Sequence, residues 1–541
     1  MALLLGLAGC SAVQKEELNM EGSVRIYPVP KEEKLSDDFV MTVNGKSVPL
    51  QQARVSAYPI NGGYWNPRFR NGLYRELYQT ELASFASFGV KGAVKVELKP
   101  KKAFKNVVVR PLSKKVLPQV ADGRITFTLP GAGQYVVELD GRHKALHIFA
   151  DPVKDYKVDK NDPNVIYFGP GCHNAGHIQL KSGQTLFLDD GAVVYGRISA
   201  YKASHIRILG HGILNGSKIR EEKTDSNGKA VPPSVEHREH AVILGECDDV
   251  TVDGIIIKDS CLYNLNLGNC NHVDIDNVKI IGQWTFNTDG IDLHNCRYAH
   301  IHNCFVRTFD DCICVKGHGY LATLKKLGKK VVGNPIISDI LVEKCVLWCD
   351  WNTTLEIGAE TFADEIYDIT FRDCDIIKNQ AAACDMSVWH HALIHDVLYE
   401  NIRIEQTPTQ RNISQKVENQ PFKEELDPAR QEPYWCIRTF AVDPKVLLNN
   451  MKTGKYPTYD KDDATLQPME KLSRQGVFKN IVFRNISVTG TGMMRVALDG
   501  GPGSGPITIE NLTFNGKKIK SFDELFETHI GPNLKGSVIL K

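Results

Sequence analysis

A short strand-like motif recurs along this chain, and it constrains the fold more than any other feature. In it an Asn, Asp or Gly punctuates two apolar half-strands, as in Val250-Thr251-Val252-Asp253-Gly254-Ile255-Ile256-Ile257 and Val273-Asp274-Ile275-Asp276-Asn277-Val278-Lys279-Ile280. Further copies run through Ala299–Val306, Ile366–Cys374, Phe478–Ile486 and Ile507–Leu512. The punctuating positions are 254, 277, 303, 373, 485 and 511, and several neighbours are 23 or 26 residues apart. The wider gaps hold intervening coils, one of them carrying Ile340-Leu341-Val342-Glu343-Lys344-Cys345. A β unit of this period cannot bury its apolar face alone. It stacks on its neighbours to form a solenoid. Residues 151–541 are therefore read as a right-handed parallel β-helix. Alternation along each short strand sends every second side chain into the stack and the rest outward. The outward face is a long trough that suits an extended polymer.

Ahead of the solenoid, residues 22–150 follow a different rule. Short β-rich runs such as Phe39–Val43, Val94–Leu98 and Tyr135–Leu139 are separated by turn pairs such as Asn44-Gly45, Asp122-Gly123 and Asp140-Gly141. This pattern predicts a small β-sandwich that caps the solenoid or binds carbohydrate. The fold class is all-β. A polar stretch from about 405 to 475 breaks the repeat and reads as a long insertion or lid beside the trough.

Net charge is +1 in 541 residues, which gives no basic excess for nucleic acid. Residues 1–21 read as a lipoprotein signal and tether. Leu7-Ala8-Gly9-Cys10 resembles a lipobox, so Cys10 is the expected lipidation site. This predicts an exported bacterial lipoprotein held at the outer membrane, facing the surface or the periplasm, and monomeric. Cys296, Cys304, Cys312, Cys314, Cys345 and Cys374 lie in apolar strand-like runs and read as small buried hydrophobes rather than disulfide partners. No C-x-x-C pair occurs, and neither metal nor cofactor is expected.

The chemistry concentrates in two segments, Asn287-Thr288-Asp289-Gly290-Ile291-Asp292 and Thr308-Phe309-Asp310-Asp311-Cys312. Asp289 and Asp310 are 21 residues apart, close to one coil, and stacked coils lie about 4.8 Å apart. Three carboxyls then share one patch, and they cannot all be ionised cheaply. One that keeps its proton suits a general acid, and one that loses it suits a base. Hydrolysis of a glycosidic bond needs both.

These two segments resemble the Asn-Thr-Asp-Gly-x-Asp and Asp-Asp-Cys motifs of glycoside hydrolase family 28, the polygalacturonases, a family related to the dextranases and isopullulanases of family 49. Leu209–Gly216 is similar to the family's early Gly-rich turn, and Val165–Gly171 to the entry of the β-helix in bacterial relatives. The order sandwich-then-helix resembles family 49. The resemblance implies inverting hydrolysis, with Asp310 as general acid and with Asp289 and Asp311 holding the attacking water. Polygalacturonases carry Gly-His-Gly where this chain reads Asn352–Glu360, and their Arg-x-Lys motif is not evident here. The chemistry therefore carries over more directly than the galacturonan substrate. A pectin-type polysaccharide leads. A neutral α-glucan, lyase action on the same fold and non-catalytic glycan binding remain open. Further candidates for substrate binding are Lys316, Glu356, Glu360 and His318, with Trp284, Trp351 and Trp389 as platforms for sugar rings. His390 and His391 are placed along the trough.

Overall fold

The computed structural model describes residues 22–57, 80–220, 223–224, 230–231, 239–317, 336–406, 434–443, 445–446, 475–491 and 494–541. Cys10, with the rest of residues 1–21, and His318 lie outside the described residues.

Two antiparallel-rich sheets form the N-terminal domain. One holds Ser23–Ile26, Gln51–Ser56, Thr80–Lys91, Val107–Arg110, Gly133–Leu139 and Leu146–Pro152. The other holds Phe39–Val43, Lys46–Val48, Val94–Pro100, Gln119–Ala121 and Arg124–Leu129. Asn44-Gly45 and Asp122-Gly123 make the two-residue hairpins expected of them. All four residues have positive φ, the conformation that matches the twist of the flanking strands. Phe88, Val96, Phe127 and Ile148 fill the space between the sheets.

From Val165 onward the chain winds into a right-handed parallel β-helix with three faces. The outer sheet stacks twelve strands, from Val165–Phe168 to Val538–Leu540. A shoulder face runs from Ile213–Asn215 through Lys279–Ile281 and Phe305–Thr308 to Thr513–Phe514. A trough face runs from Ala192–Tyr201 through Ile291–His294, Ile313–Lys316 and Leu355–Ala359 to Glu527–Ile530. The punctuating residues are the corners between outer sheet and shoulder. Gly254, Asn277, Asn303, Asp373, Asn485 and Asn511 all have positive φ, and so do Lys344 and Asn401 in the coils between. The corner turns on one left-handed residue, a conformation that Gly, Asn and Asp tolerate best. The corner amides also stack: Asn511 Nδ2 donates to Asn485 Oδ1 and Asn485 Nδ2 to Asn401 Oδ1, both at 2.9 Å.

The interior is a single column of Ile, Val, Leu and Cys. Of the six cysteines named above, five line it, while Cys314 is buried on the outward side beside Glu356, and the thirteen described cysteines are free thiols. The sandwich packs along the shoulder, where Phe85, Val136 and Phe149 meet Ile213, Ile256, Phe305, Trp348 and Ile377. Polar anchors flank this seam. Lys279 Nζ lies 2.8 Å from Asp151, with both side chains fully buried, and Arg110 bridges Glu138 and Glu405.

One expectation about organisation needs correcting. The stretch 405–475 is not one continuous insertion. Tyr434–Ala441 is a strand of the trough face, paired in register with Ala382–Val388, with Cys436 and Ile437 in the core. Its apolar run is short and flanked by polar sequence, which hid it.

Candidate active site

The site forms where the chain leaves the shoulder and enters the trough face. Three successive connections, 282–290, 309–312 and 350–354, cross this edge one above another. Gly290 N donates to Asp311 O at 2.8 Å, and Cys312 N donates to Thr353 O at 3.0 Å. This backbone ladder puts Asp289 one rung from the Asp310-Asp311 pair, as their spacing implies. Gly290 is required for the stacking, because a Cβ there would lie 2.3 Å from Cys312 O. On the trough face the register is Asn266, Asp292, Cys314, Glu356, Asp385, Arg438. Side chains far apart in sequence thereby form a single outward row, while Ile291, Leu293, Ile313 and Val315 alternate into the core.

Lys316 organises the cluster. Its Nζ lies 2.8 Å from Asp289 Oδ2, 3.1 Å from Asp292 Oδ1 and 3.7 Å from Asp311 Oδ2. Burial works to neutralise this ammonium, but Asp289 and Asp292 outweigh it and hold the group well above the ordinary lysine range. Lys316 is thus neither a rim residue nor free to take a substrate carboxylate. It is the counter-charge of Asp289, Asp292 and Asp311.

Asp310 faces the other way. Its Oδ2 accepts from Asn287 N at 3.0 Å, and its Oδ1 from Asn352 Nδ2 at 3.0 Å and Asp311 N at 3.1 Å. Burial, followed by the neighbouring Asp311, nevertheless pushes its carboxyl up to about 7. Burial raises Asp292 to about 6 against the pull of Lys316, and carries Asp289 well above the usual carboxylate range. Several carboxyls around one ammonium share protons at neutral pH. Asp289 Oδ1 is buried without a hydrogen-bond partner, an acceptor turned into the site.

Asp311 is held from the next rung. Thr353 Oγ1 lies 2.6 Å from Asp311 Oδ1 and 2.7 Å from Glu356 Oε2. One hydroxyl has one proton to donate. Burial, Asp311 and Asp385 together hold Glu356 well above the ordinary range. Thr353 therefore serves the two carboxyls by turns, donating to one of them at a time. Glu356 is as buried as the aspartates and belongs to the same cluster. Glu360 is half-buried at its margin, and its charge is felt by Asp292 and Tyr263.

The tryptophans separate. Trp351 stacks on Phe309, the residue before Asp310, with ring centroids 5.5 Å apart, and meets Phe286 edge-on. Trp284 instead lines a cleft of about 480 Å³ between the two domains, with Glu33, Arg54, Tyr195, Lys258 and Asp259. That places it away from the aspartates. His390 is buried near Phe362 and Thr361, and His391 lies beside Phe362.

Asp292, Thr353, Asn352 and the Asp385–Arg438 pair were not singled out from sequence. Arg438 Nε and Nη2 grip Asp385 at 2.7 and 2.8 Å. The available signal was the outward alternation of Asp292 within its motif.

Residues 152–421 match the glycosyl hydrolases family 28 profile. The chain is 27% identical over 172 residues to a polygalacturonase of Juniperus ashei, covering 30% of this chain and 33% of that protein. It is 28% identical over 130 residues to one of Chamaecyparis obtusa, covering 22% and 24%. The chain thus spans a third or less of the length of these relatives. Dex49A from Penicillium minioluteum superposes over 96% of both chains with a TM-score of 0.59 at 15% identity, a likeness of fold.

Proposed function

We propose that this chain, whose residues 152–421 belong to glycosyl hydrolases family 28, hydrolyses a polysaccharide or oligosaccharide of pectin type with inversion at the anomeric carbon. The observation that carries the reading is the Asp289, Asp310, Asp311 cluster on consecutive rungs, where burial and the neighbouring Asp311 favour the protonated form of Asp310. Asp310 is the general acid that gives its proton to the departing glycosidic oxygen. Asp311, kept as an acceptor by Thr353 and faced by Lys316, takes a proton from the attacking water. Asp289 offers its unpartnered Oδ1 to the same water. Lys316 keeps negative charge affordable where water is activated and is itself cationic. A lyase that used a lysine as its base would need it deprotonated, so the ion pairs that hold Lys316 as an ammonium favour hydrolysis.

A neutral glycan is the second reading. Among the described residues, the two cations on this part of the trough, Lys316 and Arg438, are both committed to carboxylates rather than open to a uronate. Acylation of Cys10 would tether the enzyme to the outer membrane as a monomer. Incorporation of a labelled fatty acid, lost in Cys10→Ser, tests the anchor.

The function is tested by incubating the purified chain with homogalacturonan, its oligomers and α-glucans, reading reducing ends and anomeric configuration by NMR. Release of the inverted anomer from a pectic substrate is the expected result. Unsaturated products, a retained configuration, or unchanged behaviour of Asp310→Asn would overturn it.

A further inference from the structure

On the outer sheet, across the stack from the carboxylate cluster, Asp274, His300 and His302 converge. Asp274 and His300 are register partners on adjacent rungs, and His302 lies two residues on, so strand alternation brings it to the same face. Asp274 Oδ1 is 3.1 Å from His302 Nε2 and 3.7 Å from His300 Nδ1, and the three ligand atoms all lie within 4.8 Å of one another. The imidazoles stack with centroids 4.0 Å apart. The other nitrogen of each ring also faces a carboxylate. His300 Nε2 is 3.2 Å from Glu343 Oε1, and His302 Nδ1 is 3.3 Å from Asp276 Oδ1. Those outer carboxylates are pinned in turn, Glu343 by Arg372 at 2.7 Å and Asp276 by Lys154 at 3.4 Å.

We propose that Asp274, His300 and His302 bind a divalent transition ion, Zn2+, on the outer sheet. Two imidazoles and a carboxylate are a donor set of borderline softness that suits Zn2+ and disfavours Ca2+ and Mg2+. An ion about 2.0–2.2 Å from each ligand needs ligand atoms roughly 3.3 Å apart, near the separations from Asp274, and the two parallel rings must swing toward each other for their in-plane lone pairs to meet on it. A carboxylate on the far nitrogen orients a metal-binding histidine, and Glu343 does so for His300, while His302 Nδ1 meets Asn303 Nδ2 at 3.0 Å and Asp276 at 3.3 Å. The side chains of Asp274, His300 and His302 are 50%, 37% and 19% exposed, so the ion enters from solvent and keeps water on its open side.

The placement gives the ion a task. Asp274 sits on the coil that goes on to Asp289, and His300 and His302 sit on the coil that goes on to Asp310 and Asp311. A bound Zn2+ staples the two coils on which the carboxylates stand.

The test uses the full chain stripped of metal, titrated with ZnCl2 by calorimetry and with Co2+ by visible absorption. One equivalent should bind, with Co2+ bands of nitrogen and oxygen ligation, and Zn2+ should raise the melting temperature. The double variant His300→Ala/His302→Ala should bind at least 10-fold more weakly and lose the Zn2+ shift, with circular dichroism confirming its fold. Asp274→Asn should weaken binding. His272→Ala, which alters another histidine of the same sheet, should not. Undiminished binding by the double variant, a thiolate charge-transfer band, or no binding by the parent chain would each overturn the assignment.

Discussion

Lys316 Nζ lies 2.8 Å from Asp289 Oδ2, joining side chains 27 residues apart on adjacent rungs. This contact ties the position of the presumptive water-holding carboxylate to the register of the stack. Removing the ammonium leaves Asp289, Asp292 and Asp311 buried without their counter-charge. Lys316→Met should cost about 3–5 kcal/mol, the usual penalty for breaking one side of a buried pair. Urea denaturation at pH 7 measures it, and a loss under 1 kcal/mol would contradict the role assigned to Lys316.

Asp310→Asn removes the proton donor while keeping the shape of the side chain. Turnover should fall by about 100-fold to 10,000-fold with little change in KM, as expected when a general acid is lost. Steady-state kinetics on the substrate found in the screen decides this.

The carboxyl of Asp310, raised to about 7 by burial and then by Asp311, sets the alkaline limb of kcat/KM. An acid must hold its proton to act, so activity should decline as pH rises through about 7. Lys316 pulls this pKa down. Any residual activity of Lys316→Met should therefore show the limb moved to higher pH. A limb unmoved or moved to lower pH would count against Asp310 as the acid.

The same shift bears on stability. In the unfolded chain Asp310 titrates near 3.8, and in the folded chain near 7, so the folded state binds more protons between those values. Its contribution is fully present below about pH 4 and is lost as pH rises to 7. Asn at this position cannot ionise. The stability of Asp310→Asn relative to the parent should therefore improve from pH 4 to pH 8 by roughly 2–4 kcal/mol.

The corner column makes a separate prediction. Asn485 has φ +55° and passes an amide hydrogen bond to each side. Asn485→Ala loses both bonds and strains the left-handed backbone, whereas Asn485→Gly loses only the bonds. Alanine should lower stability by about 1–2 kcal/mol more than glycine, the cost of a left-handed residue that carries a Cβ. Parallel thermal melts of the two variants test the ordering.

The solenoid was legible because its corners turn on one left-handed residue, which leaves Asn277, Asn303, Asn485 and Asn511 visible at regular intervals. Asp289 and the Asp310-Asp311 pair were legible because one coil of spacing translates directly into adjacency. Lys316 and Asp292 were harder. Which residue faces which depends on strand register, and the match of His294 with Lys316 exists only once the rungs are aligned. Arg438 and Asp385 are 53 residues apart, separated by polar sequence that concealed the strand Tyr434–Ala441. The cleft at Trp284 owes half its wall to the sandwich, and no periodicity in the solenoid announces it.

Among the described residues the sandwich packs on the shoulder from the coil of Val193 to that of Ile377, with the Arg110–Glu405 bridge as its last hold. Beyond Glu405 the described coils pack on their neighbours. The molecule therefore resembles a spring clamped along most of its length and loose at one end. Tension on the C-terminus would peel the late turns singly, then stall at the clamp, leaving the aspartates among the last parts of the helix to come apart.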